Sequence, residues 1–140
     1  MIKMMHILAL ALIAATTFVA SMAAAQTYQC AVVKTSPKSN WIAPQITFRF
    51  DGKGGVTVMD SKIQSFGGGT PLQAKARKRP NGKWVITWKM SKIKSITKSR
   101  QQLRLYTAEV TPGTLGMIVY AKQAGHSFKV RGTGQCAQRK

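Results

Sequence analysis

Acidic residues are almost missing from this sequence. Only 3 of its 140 residues are Asp or Glu, whereas 22 are Lys or Arg, so the formal net charge is +19 at pH 7. Paired catalytic carboxylates, carboxylate-bound metal ions and Asp-oriented triads all need acids that this chain has in short supply. We therefore expect a protein that is not an enzyme and that uses no metal or cofactor.

Cysteine is equally scarce, with Cys30 and Cys136 as its two representatives. An even pair in an exported protein is typical of a disulfide. The alternative is a redox pair or a metal site, but neither cysteine has a second Cys or a His close by in the sequence. The sequence predicts a Cys30–Cys136 bond that ties the two ends of the mature chain together.

Long hydrophobic runs are absent after the first 25 residues. Lys3 precedes an apolar run at residues 7–15, and Ala23 and Ala25 provide the small residues of a cleavage site. This pattern predicts a signal peptide over residues 1–25, because the run is shorter than the roughly 20 residues of a membrane anchor. Residues 26–140 then form one domain, which we expect to be periplasmic or secreted and monomeric.

Helical periodicity is also missing from residues 26–140. Short alternating runs between Gly, Pro and Asn turns predict about eight antiparallel strands instead, in an all-β, small up-and-down (lipocalin-like) barrel or sandwich. The residues expected on inward faces are Ile46, Phe48, Phe50, Leu72, Ala74, Ala76, Trp84, Ile86, Trp88, Phe128 and Val130. Residues 34–44, 61–71 and 91–100 fit this pattern poorly, and the last is open to interpretation as a helical turn, a strand or a loop.

Basic residues are concentrated between positions 75 and 104, where no acid occurs. Such a surface attracts polyanions through counterion release and steering, although it can also serve solubility alone. The predicted anion-binding residues are Lys75, Arg77, Arg79, Lys89, Lys92, Lys94 and Lys98. Trp41 is a possible exposed aromatic residue beside them, since it lies in a predicted loop. Nucleic acid is a less favoured partner, because no nucleic-acid-binding motif is present.

The layout resembles small periplasmic β-barrel inhibitors of c-type lysozyme. The shared features are the signal peptide, the first strand with Tyr28-Gln29-Cys30, the meander and Cys136 near the end. The resemblance implies a barrel. It carries over no functional residue, because the Ser-Gly loop and Tyr that this family inserts into its target have no match here.

The leading hypothesis is an exported, non-enzymatic protein that binds an anionic envelope component, such as lipopolysaccharide, an anionic lipid or an acidic polymer. A second hypothesis places a small apolar ligand inside the barrel, in a cavity lined by Phe48, Trp84, Ile86 and Phe128. A third is an inhibitor or interaction protein for an acidic partner.

Overall fold

The computed structural model describes residues 25–95 and 98–140, with side chains for residues 25–91 and 103–140. The predicted signal peptide lies outside the described residues, apart from Ala25. The elements, in chain order, are β1 (Gln26–Ser36), β2 (Gln45–Phe50), β3 (Val56–Asp60), α1 (Ser61–Phe66), β4 (Leu72–Lys78), β5 (Trp84–Ser95), β6 (Lys98–Val110), β7 (Gly116–Gln123) and β8 (Lys129–Arg139).

The eight strands form a closed barrel in which each strand pairs antiparallel with the next and β1 pairs with β8. The predicted all-β fold is therefore confirmed, as a barrel rather than a sandwich. Cys30 and Cys136 lie directly opposite each other on β1 and β8 and form the predicted disulfide. Because disulfides persist in oxidising compartments, the bond indicates a non-cytoplasmic protein.

Alternation of apolar and polar residues explains the core. On β2, Ile46 and Phe48 are at most 1% exposed, and on β5 Ile86 and Trp88 are at most 3% exposed. Successive side chains point to opposite faces of a strand, so the residues between them face solvent. The inward faces predicted for β2, β4 and β5 are confirmed.

Phe128 is an exception, because it was expected to point inward and is 52% exposed. β8 begins one residue later, at Lys129, so Phe128 belongs to the preceding turn and strand alternation does not apply to it. Its ring packs edge-on against Trp41, at a centroid distance of 5.6 Å. β8 also runs on to Arg139, well past the end at Arg131 that the sequence indicated.

The two ends of the barrel differ. At one end, which we call the mouth, lie the tight turns of residues 51–55, 79–83 and 111–115. At the other, the closed end, the β1–β2 loop folds inward and buries Ile42 and Ala43 to 4% and 1% exposure. This loop is held to β1 by a hydrogen bond from the Val32 N–H to the Pro44 carbonyl oxygen, at 2.8 Å.

Two of the stretches that fitted the strand pattern poorly are now defined. Residues 61–66 form the short helix α1, which begins at its N-cap residue Asp60. The carboxylate of Asp60 accepts hydrogen bonds from the N–H groups of Lys62 and Ile63, which an N-cap aspartate commonly does. Residues 91–95 and 98–100 continue β5 and β6, so the strand interpretation of this stretch is confirmed for those residues.

Candidate functional site

The predicted anion-binding residues occupy neighbouring strands. Lys75 and Arg77 are exposed on β4, opposite Thr87 and Val85 of β5, and Lys89 is exposed further along β5. Lys89 therefore lies diagonally across from Lys75, a separation of about 7–8 Å between backbone positions. The structure thus brings three of the predicted bases together on the outer surface of the barrel.

Three of the remaining predicted residues, Lys92, Lys94 and Lys98, belong to the far part of the β5–β6 hairpin. Their backbone is part of the two strands, in which Lys94 pairs with Gln101 and Lys98 with Ser95. Their side chains lie outside the described residues. The hairpin carries these positions towards the closed end of the barrel.

Arg79, the last of the predicted residues, is in a different situation. Its Nη1 atom lies 3.1 Å from Oε1 of Glu109, so the two side chains form a salt bridge. Glu109 satisfies this guanidinium on the outer wall, away from Lys75 and Lys89. Arg79 is consequently less available to an external anion than its neighbours.

Strands β7 and β8 add cations that the sequence analysis did not include. Lys122 of β7 lies directly opposite Lys129 of β8, and Tyr120 lies opposite Arg131. Paired residues of neighbouring strands form a row around the barrel. The row that contains Lys129 and Lys122 continues through Leu105 to Lys89, because Leu105 pairs with both Lys122 and Lys89. We call the exposed bases of this wall the basic face: Lys75, Lys89, Lys122, Lys129 and Arg131.

All three acids of the chain are engaged elsewhere. Asp51 accepts hydrogen bonds from the N–H groups of Lys53 and Gly55, at 2.7 and 2.9 Å, and these bonds hold its pKa below the ordinary value. Asp60 caps α1, and Glu109 pairs with Arg79. The carboxylates therefore stabilise turns and a surface pair, and none of them neutralises the basic face.

A second feature is a cavity of about 850 Å³ at the mouth, which we call the cup. The inward-facing aromatic rings of Tyr28, Phe50 and Trp84 form one wall, with centroids 5.7 Å apart for the first pair and 5.5 Å for the second. Phe48 and Ile86 line it more deeply. Three of the four residues expected around an internal cavity are thus present, whereas Phe128 lies at the closed end.

Below the cup, side chains fill the barrel. Phe48 packs against Trp88 with ring centroids 5.5 Å apart, and Trp88 stacks on Tyr106 at 5.1 Å. The Tyr106 hydroxyl donates a hydrogen bond to the Trp41 carbonyl oxygen at 2.9 Å, and burial raises the pKa of Tyr106. The predicted core position of Trp88 is therefore confirmed, and Trp84 is only partly buried because it borders the cup.

Trp41 lies at the closed end and is partly buried. The Arg104 guanidinium, which is itself only 7% exposed, lies 4.4 Å from the Trp41 ring centroid. Phe128 covers another edge of the same ring. Trp41 is thus enclosed by a cation and an aromatic ring, which leaves it little surface for stacking on an external ligand.

No protein-family model, curated protein or solved structure matches this chain. Among the described residues, no cluster of His, Cys, Asp or Glu side chains has the arrangement of a metal site. No helix in that part of the chain is long and apolar enough to span a membrane. Assignment of a function therefore depends on the basic face and the cup.

Proposed function

We propose that this protein is an exported, non-enzymatic binding protein, located in the periplasm or secreted, whose basic face binds an anionic component of the cell envelope. The preferred ligand class is a surface that carries phosphate groups at close spacing, as lipopolysaccharide does. Binding follows from the charge and arrangement of the exposed lysines and needs no catalytic group.

The observation that carries this proposal is the direct opposition of Lys122 and Lys129. Like charges at opposed positions of an antiparallel pair destabilise a sheet. Lys129 places its ammonium 5.0 Å from the Tyr120 ring centroid, which compensates part of the cost. A polyanion that contacts both lysines would remove the remaining repulsion and release its own counterions.

The arrangement of the other bases supports the same ligand class. Arg131 is two residues from Lys129 on β8, and Lys89 on β5 lies in the row that leads through Leu105 to Lys122. Lys75 is farther round the barrel, on β4, and all three side chains are exposed. A large anionic surface would contact several of these bases at once. Each cation near an anionic lipid surface contributes about 1 kcal/mol to binding.

The test is a calorimetric titration of the oxidised mature protein with lipopolysaccharide, at low and at physiological salt. The double variant Lys122→Gln/Lys129→Gln should bind about thirtyfold more weakly, because it removes two cations at about 1 kcal/mol each. Its thermal stability should be equal or higher, since the like-charge pair is gone.

The matched control is Arg49→Gln/Lys53→Gln, which removes two exposed bases on β2 and its following turn, away from the basic face. We expect this variant to lose less than threefold in affinity. Equal losses in the two variants would show that the ligand responds to net charge alone. A marked drop in stability of Lys122→Gln/Lys129→Gln would make these lysines structural, and either result would contradict the proposal.

A further inference from the structure

The cup has an apolar interior and a border that contains polar and basic residues. Its deeper lining is apolar and includes Phe48, Ile86 and Val110, which are at most 8% exposed. Its border includes Gln26, Gln138 and the base Lys78, which lies opposite Trp84 on the inward face of β4. Arg77 also borders the cup, but it belongs to the outward face of the same strand. No carboxylate belongs to this lining.

A positive charge is held directly over the aromatic wall. The Lys78 Nζ atom lies 5.9 Å from the centroid of the Trp84 ring, and Arg77 precedes it on β4. The cup has aromatic and aliphatic side chains in its interior and the Lys78 ammonium at its border. These features match a molecule that is apolar at one end and anionic at the other, whereas a wholly apolar ligand would leave the Lys78 charge unused.

Leu115 shows that the lining is maintained at a conformational cost. It is the one non-glycine residue with a positive φ, at 58°, in the described chain, and its side chain lines the cup. Its N–H donates to the Thr111 carbonyl oxygen, and its own carbonyl accepts from the Cys136 N–H, both at 2.9 Å. These bonds hold a leucine in the left-handed region, which L-residues with side chains avoid and which often marks a functional position.

The volume limits what the cup can hold. Ligand pockets for a single small molecule have volumes of roughly 300–1,000 Å³, and the cup falls within this range at about 850 Å³. Phe48 and Trp88 close it from below, so the ligand must enter and leave through the mouth. The volume and the single opening favour a ligand with one acyl or alkyl chain and exclude a polymer as the ligand of the cup.

From these observations we propose that the cup binds a single-chain amphiphile, with its hydrocarbon chain against Phe48, Trp84 and Leu115 and its anionic head group beside Lys78. The head group is a carboxylate, as in a fatty acid, or a phosphate monoester, as in an alkyl phosphate. This site lies inside the barrel and is separate from the basic face on its outer wall.

The test is isothermal titration of the oxidised protein with three probes of equal chain length: laurate, dodecyl phosphate and dodecanol, each below the concentration at which it aggregates. We expect laurate or dodecyl phosphate to bind one per chain, and dodecanol to bind about tenfold more weakly, because it lacks the charge. The tighter of the two anions identifies the head group.

Two variants locate the site. Lys78→Gln should abolish the roughly tenfold preference for the anions while leaving dodecanol binding unchanged. Leu115→Gly should weaken all three probes by a similar factor, about fivefold, since it removes apolar lining. Because glycine adopts a positive φ without strain, this variant is expected to fold.

The control is Lys75→Gln, which removes an equal charge from the basic face and does not border the cup. It should leave the affinities for all three probes unchanged. Absence of saturable binding, equal affinity for dodecanol and the anions, or an equal effect of Lys75→Gln and Lys78→Gln would overturn the proposal. Lipopolysaccharide binding that depends on Lys122 and Lys129 could still be observed in each of these cases, so the two proposals can fail independently.

Discussion

At the residue scale, two opposing effects act on the pKa of Asp60. Its side chain is almost buried, and burial raises its pKa above the ordinary 3.8, although the N–H groups of Ile63 and Lys62 act in the opposite direction. The Asp60 carboxyl group therefore loses its proton at a lower pH in the unfolded chain than in the folded protein. The contribution of Asp60 to stability is therefore largest below pH 3.8 and declines as pH rises through the folded-state pKa.

We predict that Asp60→Asn is as stable as the wild type or more stable at pH 7, because the amide oxygen still caps α1 and carries no charge. Thermal unfolding between pH 3 and pH 7 should show the wild type losing stability relative to this variant as pH rises. Asp60→Ala is the control, which should be about 1 kcal/mol less stable than Asp60→Asn at every pH, because alanine cannot cap α1. Equal destabilisation by Asn and Ala at neutral pH would contradict this explanation.

At the element scale, β8 is shaped by glycine. A Cβ atom on Gly134 would lie 2.2 Å from the carbonyl oxygen of Ala31 on β1, a contact that only backbone movement could relieve. A Cβ on Gly132 would meet the side chains of Val119 and Ile42 at 2.9 and 3.2 Å. These two glycines allow β8 to approach β1 and the loop that closes the barrel.

We predict that Gly134→Ala lowers the free energy of unfolding by about 1–3 kcal/mol, the range found for overpacked sites. Gly116→Ala on β7 is the matched control, because its nearest neighbour would be a Thr114 side-chain atom at 3.8 Å and its φ is not positive. Urea unfolding followed by circular dichroism measures both. Similar midpoints for the two variants would show that β1 and β8 adjust without cost.

The sequence predicts individual strands better than it predicts which residues of other strands and loops lie beside them. Alternation in Ile46, Phe48 and Phe50 identifies a strand and its buried face, because the period of two is a local property. The alternation of Gly132 and Gly134 was a usable sign of close backbone approach that would have extended β8 beyond Arg131. The inward position predicted for Phe128 is wrong because the alternation was extended to Ser127 and Phe128, two residues that precede the start of β8 at Lys129.

The candidate sites depend on register, which the sequence leaves open. Lys122 and Lys129 are neighbours only because the intervening turn sets their pairing, and a shift of one residue would separate them. The salt bridge between Arg79 and Glu109 likewise joins residues of a turn and a distant strand. Charge density between positions 75 and 104 led to the predicted anion-binding residues on β4 and β5, but it did not include Lys122, Lys129 and Arg131 of the basic face.

At the scale of the whole molecule, one covalent bond closes the barrel. Cys30 and Cys136 are separated by 106 positions, and both side chains are buried. In the chain-entropy description, a cross-link over a loop of this length stabilises the folded state by roughly 4–5 kcal/mol. This contribution is a large part of the 5–15 kcal/mol typical of a domain.

We predict that Cys30→Ala/Cys136→Ala lowers the free energy of unfolding by about 4 kcal/mol. Denaturant titration of this variant and of wild type treated with dithiothreitol should give matching midpoints, both below that of the oxidised protein. A difference of less than 1 kcal/mol between oxidised and reduced protein would mean that strand pairing alone holds β1 to β8.

The position of the disulfide also imposes an order in time. Cys30 lies in the first strand of the barrel and Cys136 in the eighth, so the bond cannot form until all eight strands have been synthesised. Until then β1 has β2 as a neighbour on one side and an unpaired edge on the other, with a reduced thiol in the middle of that edge. Oxidation of this pair therefore requires that β8 has been made, and a product truncated before β8 would carry both an open sheet edge and a reactive cysteine.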